Sequence, residues 1–425
     1  MEIGLAALTL FMFTEAFVPR LFAPASALAE GDDKLLRYLW LPFYALAGAG
    51  IIVAGRTSWA TLRRSPWLVL LSLMAVLSTF WSIETEITAR RSTAVMATTL
   101  LGVYLAARFD WLTALRLLAC VWLAVLAATL VVGLLAPGFA RMTDVHVGAW
   151  SGAWWEKNQL GGHAARQAFL FAFLAWRDVA WRGAWIVALA VAVTLVVLST
   201  SATALLGLAI GFAVLGAAAC MRRGRRTALV FAWGSAAGLV VLALSYVVAP
   251  KVLLGLVGRE PTLTGRTDIW SELTQAITER PWLGYGYQAF WSVESEPRYW
   301  LQKAVEWAAP SGHNGWLDLA VSLGLVGVAL FGIDLLLTSA RAIKTSLRSP
   351  IGVFAIGAIA QYLLFAMSES LFLVQNNIIW ATYALISAKL ALDAAPRRAP
   401  DHSSSSERAI PQSAAAAVGA ARMAP

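Results

Sequence analysis

The feature that most constrains this chain is the recurrence of uncharged apolar stretches along almost its whole length. Many of them approach the roughly 20 residues that a helix needs to cross about 30 Å of hydrocarbon. Only 13% of the residues are charged and 59% are hydrophobic, whereas a soluble domain is about 25% charged. This pattern excludes an ordinary soluble fold and predicts an all-α, polytopic membrane protein.

Matching each apolar run to the length of a membrane span predicts about twelve transmembrane helices. The N-terminus lacks the positive segment and the small-residue cleavage pattern of a secretory signal, so it is predicted to form the first span. The uncharged run 183–221 is too long for one span, and Ser199, Thr200 and Ser201 are predicted to form a tight turn within it. The predicted spans are residues 3–20, 38–54, 65–83, 92–107, 117–137, 160–176, 183–199, 202–221, 227–249, 315–338, 349–368 and 371–391.

The distribution of charge predicts the orientation of these spans. Lys and Arg outnumber Asp and Glu by 33 to 24, an excess that in a soluble protein could indicate nucleic-acid binding. Here the basic residues cluster in short connections, and cytoplasmic connections of membrane proteins are enriched in Lys and Arg. With a cytoplasmic N-terminus, every cluster falls on the cytoplasmic side. Membrane topology therefore explains the basic excess, and we expect the lipid bilayer as a partner and no nucleic acid. The clusters are Arg56, Arg63 and Arg64; Arg177 and Arg182; Arg222, Arg223, Arg225 and Arg226; Arg341, Lys344 and Arg348; and Arg397 and Arg398.

This topology predicts four regions. Residues 1–249 form an N-terminal bundle of about nine spans, and residues 315–392 form the C-terminal membrane helices. Between them, residues 250–314 form a large outer, periplasmic loop that contains amphipathic helices. Residues 393–425 are rich in Ala, Ser, Pro and Arg, which predicts a disordered cytoplasmic tail because such a segment buries too little apolar surface to offset its ordering entropy.

An amphipathic helix is predicted inside the outer loop, lying on the membrane and ending at Pro281. Arg266 is placed at its N-terminus, where free backbone amides favour an anion and a guanidinium can clamp a phosphate with two hydrogen bonds. The alternative interpretation is an interfacial arginine that pairs with lipid headgroups. The apolar residues at helical spacing are Ile269, Trp270, Leu273, Ala276 and Ile277.

His313 is the second candidate functional residue of this loop. It lies directly before the tenth predicted span, at the outer interface and at the start of a helix. The positive end of a helix dipole favours the neutral, basic form of an imidazole. The alternative is a structural polar group.

Three stretches of the chain, taken together, resemble the O-antigen ligase and polymerase family. The resemblance is close over residues 265–327, and the span pattern with a large late outer loop fits most of the chain. The stretches are Gly265-Arg266-Thr267-Asp268-Ile269-Trp270, then Glu279-Arg280-Pro281-Trp282-Leu283-Gly284-Tyr285-Gly286, and then His313-Asn314-Gly315-Trp316-Leu317 with Gly324-Leu325-Val326-Gly327.

The resemblance implies a glycosyltransferase of the bacterial inner membrane. Such an enzyme moves or polymerises an undecaprenyl-diphosphate-linked glycan onto an acceptor at the periplasmic face, and the family pattern assigns catalytic roles to Arg266 and His313. A lipid diphosphate is already an activated leaving group, so the site needs cations for the departing charge and a base near the acceptor hydroxyl. The outer loops contain no Asp-x-Asp motif, and we expect a metal-independent reaction without a cofactor.

The implied partners are the lipid-linked glycan, an acceptor that is either a glycan or lipid A-core, and a chain-length regulator or flippase of the same pathway. One departure from the family affects the expected diphosphate site. The family commonly has Ser followed by Arg or Lys at the turn into the eighth span, whereas this chain has Ser201-Ala202-Thr203. Diphosphate binding is therefore expected to rest on other residues or to be weakened. The predicted substrate-binding set is Arg259, Arg166, Lys157, Arg298, Asn158 and Asn314.

A further motif bears on the choice between ligation and polymerisation. The stretch Glu156-Lys157-Asn158-Gln159-Leu160-Gly161 resembles the Lys-Asn pattern of the exopolysaccharide polymerase branch. It favours a polymerase over a ligase to lipid A-core, although Lys157 could also be a solvated loop charge.

Two other functions compete with this prediction. A polysaccharide transporter or flippase would need polar groups near mid-membrane on several helices, and here they are sparse and no internal repeat is apparent. A non-catalytic assembly partner derived from the enzyme stays open because of the departure at Ala202. The main polar residues within the predicted spans or next to them are Glu15, Asp334, Gln361, Asn376 and Asn377.

The predicted topology can be tested with reporter fusions. A reporter fused after Met221 should be cytoplasmic because a cluster of arginines follows it, whereas one fused near Trp300 should be periplasmic because the span 227–249 separates the two. Alkaline phosphatase and fluorescent-protein fusions would measure this. Finding both positions on one side of the membrane would contradict the topology.

Overall fold

A computed structural model of the protein describes residues 1–22, 34–143, 146–224, 226, 227, 230 and 266–394. The predicted span at 227–249, almost in full, and the predicted tail beyond Ala394 lie outside these residues, as does Arg259.

Within the described residues the chain forms helices and no β-strand, which confirms the all-α prediction. Two short 3₁₀ turns, Ser78–Phe80 and Val179–Trp181, supplement the α-helices. In chain order the α-helices are α1 (Glu2–Phe13), α2 (Val18–Phe22), α3 (Lys34–Arg64), α4 (Pro66–Leu77), α5 (Thr85–Arg108), α6 (Trp111–Leu135), α7 (Pro137–Ala140), α8 (Lys157–Arg177), α9 (Arg182–Leu198), α10 (Ala202–Arg222), α11 (Arg266–Glu279), α12 (Glu296–Ala304), α13 (Gly315–Ser346), α14 (Pro350–Ala366) and α15 (Ile378–Asp393).

Several of these helices are suited to a lipid environment. Among the described residues, five helices are long and apolar enough to cross a membrane, and α1, α4 and α14 are shorter apolar helices. Every predicted span other than 227–249 overlaps a described helix. The long segments are Arg37–Arg64, Trp111–Leu135, Val179–Leu198, Ala202–Met221 and Gly315–Ser346.

The turn predicted in the middle of the long uncharged run is confirmed. Helix α9 ends before Ser199 and α10 begins after Ser201, with Thr200 between them in the left-handed backbone region at φ 50°. The Ser201 hydroxyl accepts a hydrogen bond from the Ala204 backbone N–H and donates to Asn158 Oδ1 at 2.8 Å. The turn is therefore tied to the start of α8.

The first predicted span, residues 3–20, is broken after α1. Glu15 and Phe17 have left-handed backbone conformations, with φ 54° and 61°. The Glu15 carboxylate accepts a hydrogen bond from Asn377 Nδ2 at 3.3 Å, and the Phe17 backbone N–H donates to the Ala153 carbonyl at 3.1 Å. Contacts with residues distant in sequence, Asn377 and Ala153, therefore hold this segment where a continuous helix would have used its own backbone hydrogen bonds.

The last predicted span, residues 371–391, becomes helical only at α15 for the same reason. The Leu373 carbonyl accepts a hydrogen bond from the Tyr287 hydroxyl at 2.6 Å, and the Asn376 backbone N–H donates to Thr98 Oγ1 at 3.0 Å. Bonds to other elements thus hold the outer end of this segment in a non-helical path.

Helix α13 is bent at Gly324, and the segment 281–286 docks into the bend. Gly324 has φ 64°, and a Cβ at this position would lie 2.5 Å from the Leu283 backbone nitrogen, so no larger residue fits. Because the bend interrupts the helical ladder, backbone groups on both sides of it need other partners. The segment supplies them through four hydrogen bonds: Tyr285 N–H to the Val321 carbonyl (2.8 Å), Gly286 N–H to Ser322 (3.1 Å), Leu325 N–H to Pro281 (2.7 Å) and Val326 N–H to Trp282 (3.2 Å).

Helix α11 forms where the amphipathic pattern predicts it, but its apolar face does not lie open to a membrane. Ile269 and Leu273 are fully buried in a cluster that also contains Tyr285, Phe290 and Val321. The docked segment 281–286 folds α11 back over the outer end of α13, and this brings apolar side chains of the protein itself against the face.

Candidate functional site

His313 occupies a constrained position at the start of α13. The next residue, Asn314, caps the helix, since its Oδ1 accepts hydrogen bonds from the Trp316 and Leu317 backbone N–H groups at 3.0 and 3.4 Å. His313 itself has a left-handed backbone with φ 46°. A non-glycine residue in that region is uncommon, and such strain concentrates at functional sites.

The imidazole of His313 is held by packing rather than by hydrogen bonds. Its ring stacks on the Trp307 indole with centroids 5.6 Å apart and planes within 5°. Both ring nitrogens are buried, and neither has a hydrogen-bond partner in the part of the chain that the structure describes. Buried polar atoms are nearly always paired, so these two nitrogens indicate a missing partner. A substrate hydroxyl would fit this requirement.

A carboxylate from another part of the chain lies between His313 and Arg266. Glu369 Oε2 is 3.7 Å from His313 Nδ1, and Glu369 Oε1 is 3.9 Å from Arg266 Nη2. Glu369 also interacts electrostatically with the guanidinium of Arg166. One carboxylate is therefore surrounded by two arginines and a histidine, so this group of side chains has a net positive charge even when the imidazole is neutral.

Arg166 reaches this centre from α8. Its guanidinium lies 4.6 Å above the Phe365 ring and 3.5 Å from His163 Nδ1, and its buried Nε has no hydrogen-bond partner. It borders a cavity of about 60 Å³ that is otherwise lined mainly by apolar side chains, together with Gln361 and Tyr362. An ionisable residue placed among membrane helices is costly and is by default a candidate for function.

Asp318 organises the backbone around His313. It is buried on the first turn of α13, where Oδ1 accepts hydrogen bonds from Trp291 Nε1 at 2.8 Å and from the Gly312 backbone N–H at 3.0 Å. The Ser370 hydroxyl donates to Oδ2. Since Gly312 precedes His313 and Ser370 follows Glu369, one carboxylate fixes the chain beside both members of the pair.

Helix α11 is joined to the same loop. The Trp270 indole N–H donates to the Gly312 carbonyl at 2.8 Å, so the loop before His313 is bonded through its carbonyl to α11 and through its N–H to α13. Arg266, at the first position of α11, is thereby carried to the His313 side of α13.

The remaining predicted substrate-binding residues are placed differently. Asn158 receives the Ser201 hydroxyl bond, Lys157 begins α8, and Asn314 serves as a helix cap. Arg298, on α12, donates to the Trp291 carbonyl at 3.1 Å, and burial lowers the pKa of its guanidinium. The structure thus brings together Arg266, His313 and Arg166 and gives the others separate contacts. In the described part of the chain, no group of three or more His, Cys, Asp or Glu side chains could hold a metal ion.

Glu369 was not predicted, although the sequence contains a signal for it. It is the one charged residue between Arg348 and Lys389. A lone ionisable residue in so long an apolar stretch is itself an indication of function, but its partners are distant in sequence and no local pattern reveals them.

Fold and site together define a helical membrane protein with a partly buried, positively charged centre. Its imidazole, that of His313, makes no hydrogen bond within the described residues. Comparison with known proteins narrows this class. Residues 185–332 match the family described as O-Antigen ligase (Wzy_C). That stretch includes Arg266 and His313 and ends before Glu369.

A curated relative covers more of the chain. The exopolysaccharide production protein ExoQ of Rhizobium meliloti (strain 1021) is 27% identical over 342 residues, which is 77% of this chain and 73% of the relative. Both matches support an O-antigen ligase and polymerase family, and the resemblance found in the sequence is confirmed.

The role of Asp318 can be tested by substitution. Asp318→Ala removes the acceptor of three hydrogen bonds, and because a typical hydrogen bond contributes about 0.5–1.5 kcal/mol net, we expect a loss of about 3 kcal/mol in stability. Asp318→Asn keeps one oxygen and should lose less. Thermal unfolding of the purified protein in detergent measures both.

The matched control is Asp268→Ala, because Asp268 is an exposed aspartate on α11. It should leave the unfolding temperature unchanged. Equal unfolding temperatures for Asp318→Ala and Asp268→Ala would show that Asp318 does not hold the loop.

Proposed function

We propose that this protein is a glycosyltransferase of surface-polysaccharide synthesis that transfers an undecaprenyl-diphosphate-linked glycan to an acceptor sugar at the periplasmic face of the inner membrane. The observation that carries the proposal is the convergence of Arg166, Arg266, His313 and Glu369 from four separate parts of the chain. The family supports transfer of glycans, and the charges support a diphosphate leaving group.

The two arginines supply the stabilisation that the leaving group needs. When the bond between the sugar and the diphosphate breaks, negative charge grows on the bridging oxygen. Guanidinium groups fixed in a partly buried site stabilise such charge more strongly than water does, because they need not reorganise during the reaction. Arg266 contributes from the start of α11, where helix amides add to the positive potential. Arg166 contributes from the membrane side, and in this respect it substitutes for the basic residue that is absent at Ala202.

His313 is the proposed general base. The acceptor hydroxyl attacks the anomeric carbon, its proton passes to a ring nitrogen of His313, and undecaprenyl diphosphate departs with the electron pair of the broken bond. The Nε2 of His313 suits this role because it has no hydrogen-bond partner among the described residues. Glu369, near Nδ1, orients the ring and stabilises the imidazolium that forms, which is the arrangement of a base with its orienting carboxylate.

Glu369 also balances charge in the absence of donor. Its second oxygen faces Arg266, so an incoming diphosphate competes with Glu369 for that guanidinium. Donor binding then leaves Glu369 free to pair with the imidazolium of His313. This links occupancy of the diphosphate site to activation of the base.

The proposed topology places this centre outside the cytoplasm. Twelve spans with a cytoplasmic N-terminus put residues 250–314, the segment between α14 and α15, and the start of α8 on the periplasmic side. Residues 1–249 and 315–392 then form the membrane bundle, and residues 393–425 form a cytoplasmic tail. The positive-inside distribution of Lys and Arg supports this arrangement.

Polymerisation is the proposed form of transfer. The stretch 156–161 resembles the Lys-Asn pattern of exopolysaccharide polymerases, and the curated relative is described as an exopolysaccharide production protein. The acceptor would then be a growing glycan rather than lipid A-core. A chain-length regulator or a flippase of the same pathway would act beside it.

Arg266 and His313 provide the direct test. Arg266→Ala and Arg266→Lys should both lower transfer about 10²–10³-fold, because an ammonium cannot reproduce the planar two-pronged contact of a guanidinium. His313→Ala should do the same. Transfer can be measured with purified protein, a lipid-diphosphate donor and a defined acceptor, at matched protein levels.

The control is Arg280→Lys, since Arg280 is exposed and contacts the Tyr285 ring rather than the centre. It should retain wild-type transfer. Normal transfer by His313→Ala would show that the base lies elsewhere.

Glu369 provides a test of the coupled charges. Glu369→Gln keeps the shape of the side chain but removes its charge, so kcat should fall about 10²-fold because the imidazolium loses its stabilising partner, while KM for the donor should stay equal or fall because Arg266 loses its competitor. Steady-state kinetics with varied donor separates these two effects.

Glu272→Gln on α11 is the control and should change neither constant. A Glu369→Gln variant with a normal kcat and a raised donor KM would contradict the role of Glu369, since that outcome would mean that it binds donor instead of supporting the base.

A further inference from the structure

A second group of arginines lies around the turn that follows the docked segment. Arg91, on the first turns of α5, donates through Nη1 to the Gln288 carbonyl at 3.1 Å. Arg298, on α12, donates through Nη1 to the Trp291 carbonyl at 3.1 Å. The two guanidinium groups are thus anchored on carbonyls three residues apart in one turn, and Gln288 has a left-handed backbone with φ 58°.

Neither arginine is neutralised by a described acidic side chain. The ion pairs of the described residues include neither Arg91 nor Arg298, and Arg298 acts on Arg91 as a like charge, as do Arg90 and Arg37. A guanidinium carries five N–H donors, so one carbonyl bond to each leaves most of them available. The buried Nε of Arg298 has no hydrogen-bond partner among the residues that the structure describes.

Like charges that converge in a partly buried place need a counter-ion. Two guanidinium groups in proximity repel each other, and the repulsion grows as the surroundings become less polar. Burial also lowers the pKa of Arg298, because the charged guanidinium loses part of its hydration there. An anion between the two groups would remove the repulsion and satisfy the idle donors.

The surroundings indicate where such an anion would come from. Tyr38 is 70% exposed beside Arg37, at the start of the long apolar segment of α3, and Phe80 is 86% exposed just before α5. Exposed aromatic side chains at the ends of apolar helices are typical of the membrane–water interface. Arg91 interacts electrostatically with Arg37 at that end of α3, which favours a position for the arginine group at the height of lipid headgroups.

We infer that Arg91 and Arg298 form a binding site for the phosphate group of a membrane lipid, separate from the centre around Glu369. Paired N–H donors on guanidinium groups match the oxygens of a phosphate, and the neighbouring exposed side chains suit a lipid tail better than a sugar. Two lipids carry this group at the proposed face, an anionic phospholipid and a polyprenyl phosphate. The inference depends on the arginine geometry and not on the proposed transfer reaction.

The site can be tested by lipid binding to the full-length protein. Wild type, Arg91→Gln/Arg298→Gln and Arg280→Gln would be purified and placed in nanodiscs of phosphatidylcholine with a small fraction of either phosphatidylglycerol or undecaprenyl phosphate. Native mass spectrometry then counts the anionic lipid retained by each protein. We expect the double variant to lose retention at least tenfold relative to wild type, while Arg280→Gln, an exposed arginine outside the group, retains it.

The lipid that wild type retains, and that the double variant loses, identifies the source of the phosphate. Should the double variant fail to fold, the single variant Arg298→Gln gives the same test, since the guanidinium of Arg298 makes one hydrogen bond to the protein. Equal retention of both lipids by wild type and a folded Arg298 variant would overturn the inference.

Arg266→Ala separates this site from the proposed catalytic centre. If retention survives in Arg266→Ala and falls in the Arg91/Arg298 variants, the second site stands whether or not transfer occurs. If retention falls in Arg266→Ala alone, the phosphate binds at the Glu369 centre and the inference is wrong.

Discussion

The docking of residues 281–286 onto the bend in α13 is the interaction on which the site depends. A continuous helix satisfies its own backbone, and near a bilayer an unsatisfied backbone group costs several kcal/mol. The bend at Gly324 therefore requires a partner, and the docked segment supplies four backbone hydrogen bonds to it. These bonds fold α11 back over the outer end of α13. Trp270 and Asp318 then fix the loop at Gly312 from both sides, and Arg266 is carried toward His313.

Charge is the second organising constraint. Glu369 interacts with Arg166, Arg266 and His313, which compensates part of a positive potential that would otherwise destabilise a partly buried site. The compensation is incomplete, and a positive charge remains on the site. The diphosphate of the proposed donor would supply the missing negative charge. Among the described residues, no carboxylate forms an ion pair with Arg91 or Arg298. This difference in charge is the reason why we assign glycan transfer to the centre around Glu369 and lipid binding to the pair of Arg91 and Arg298.

Much of the architecture could be predicted from local sequence. The turn at Thr200, the amphipathic helix that begins at Arg266 and the helix start after Asn314 all follow from apolar periodicity and capping residues. The predictions failed where contacts between distant residues replaced local preferences. The first helix ends before Glu15, whose side chain bonds to Asn377, and the chain around Leu373 is non-helical where the Tyr287 hydroxyl bonds to its carbonyl.

The sequence by itself determined that this chain is a helical membrane protein and which two residues, Arg266 and His313, deserved attention, because span length, helix periodicity and short motifs are properties of neighbouring residues. Only the tertiary structure decided that Arg166, among the predicted substrate-binding residues, lies with them, that Arg298 bonds to the Trp291 carbonyl instead, and that Glu369 completes the centre. Ion pairs and backbone docking depend on the positions of residues far apart in the chain, and the energy of each such contact exists only after the helices have packed.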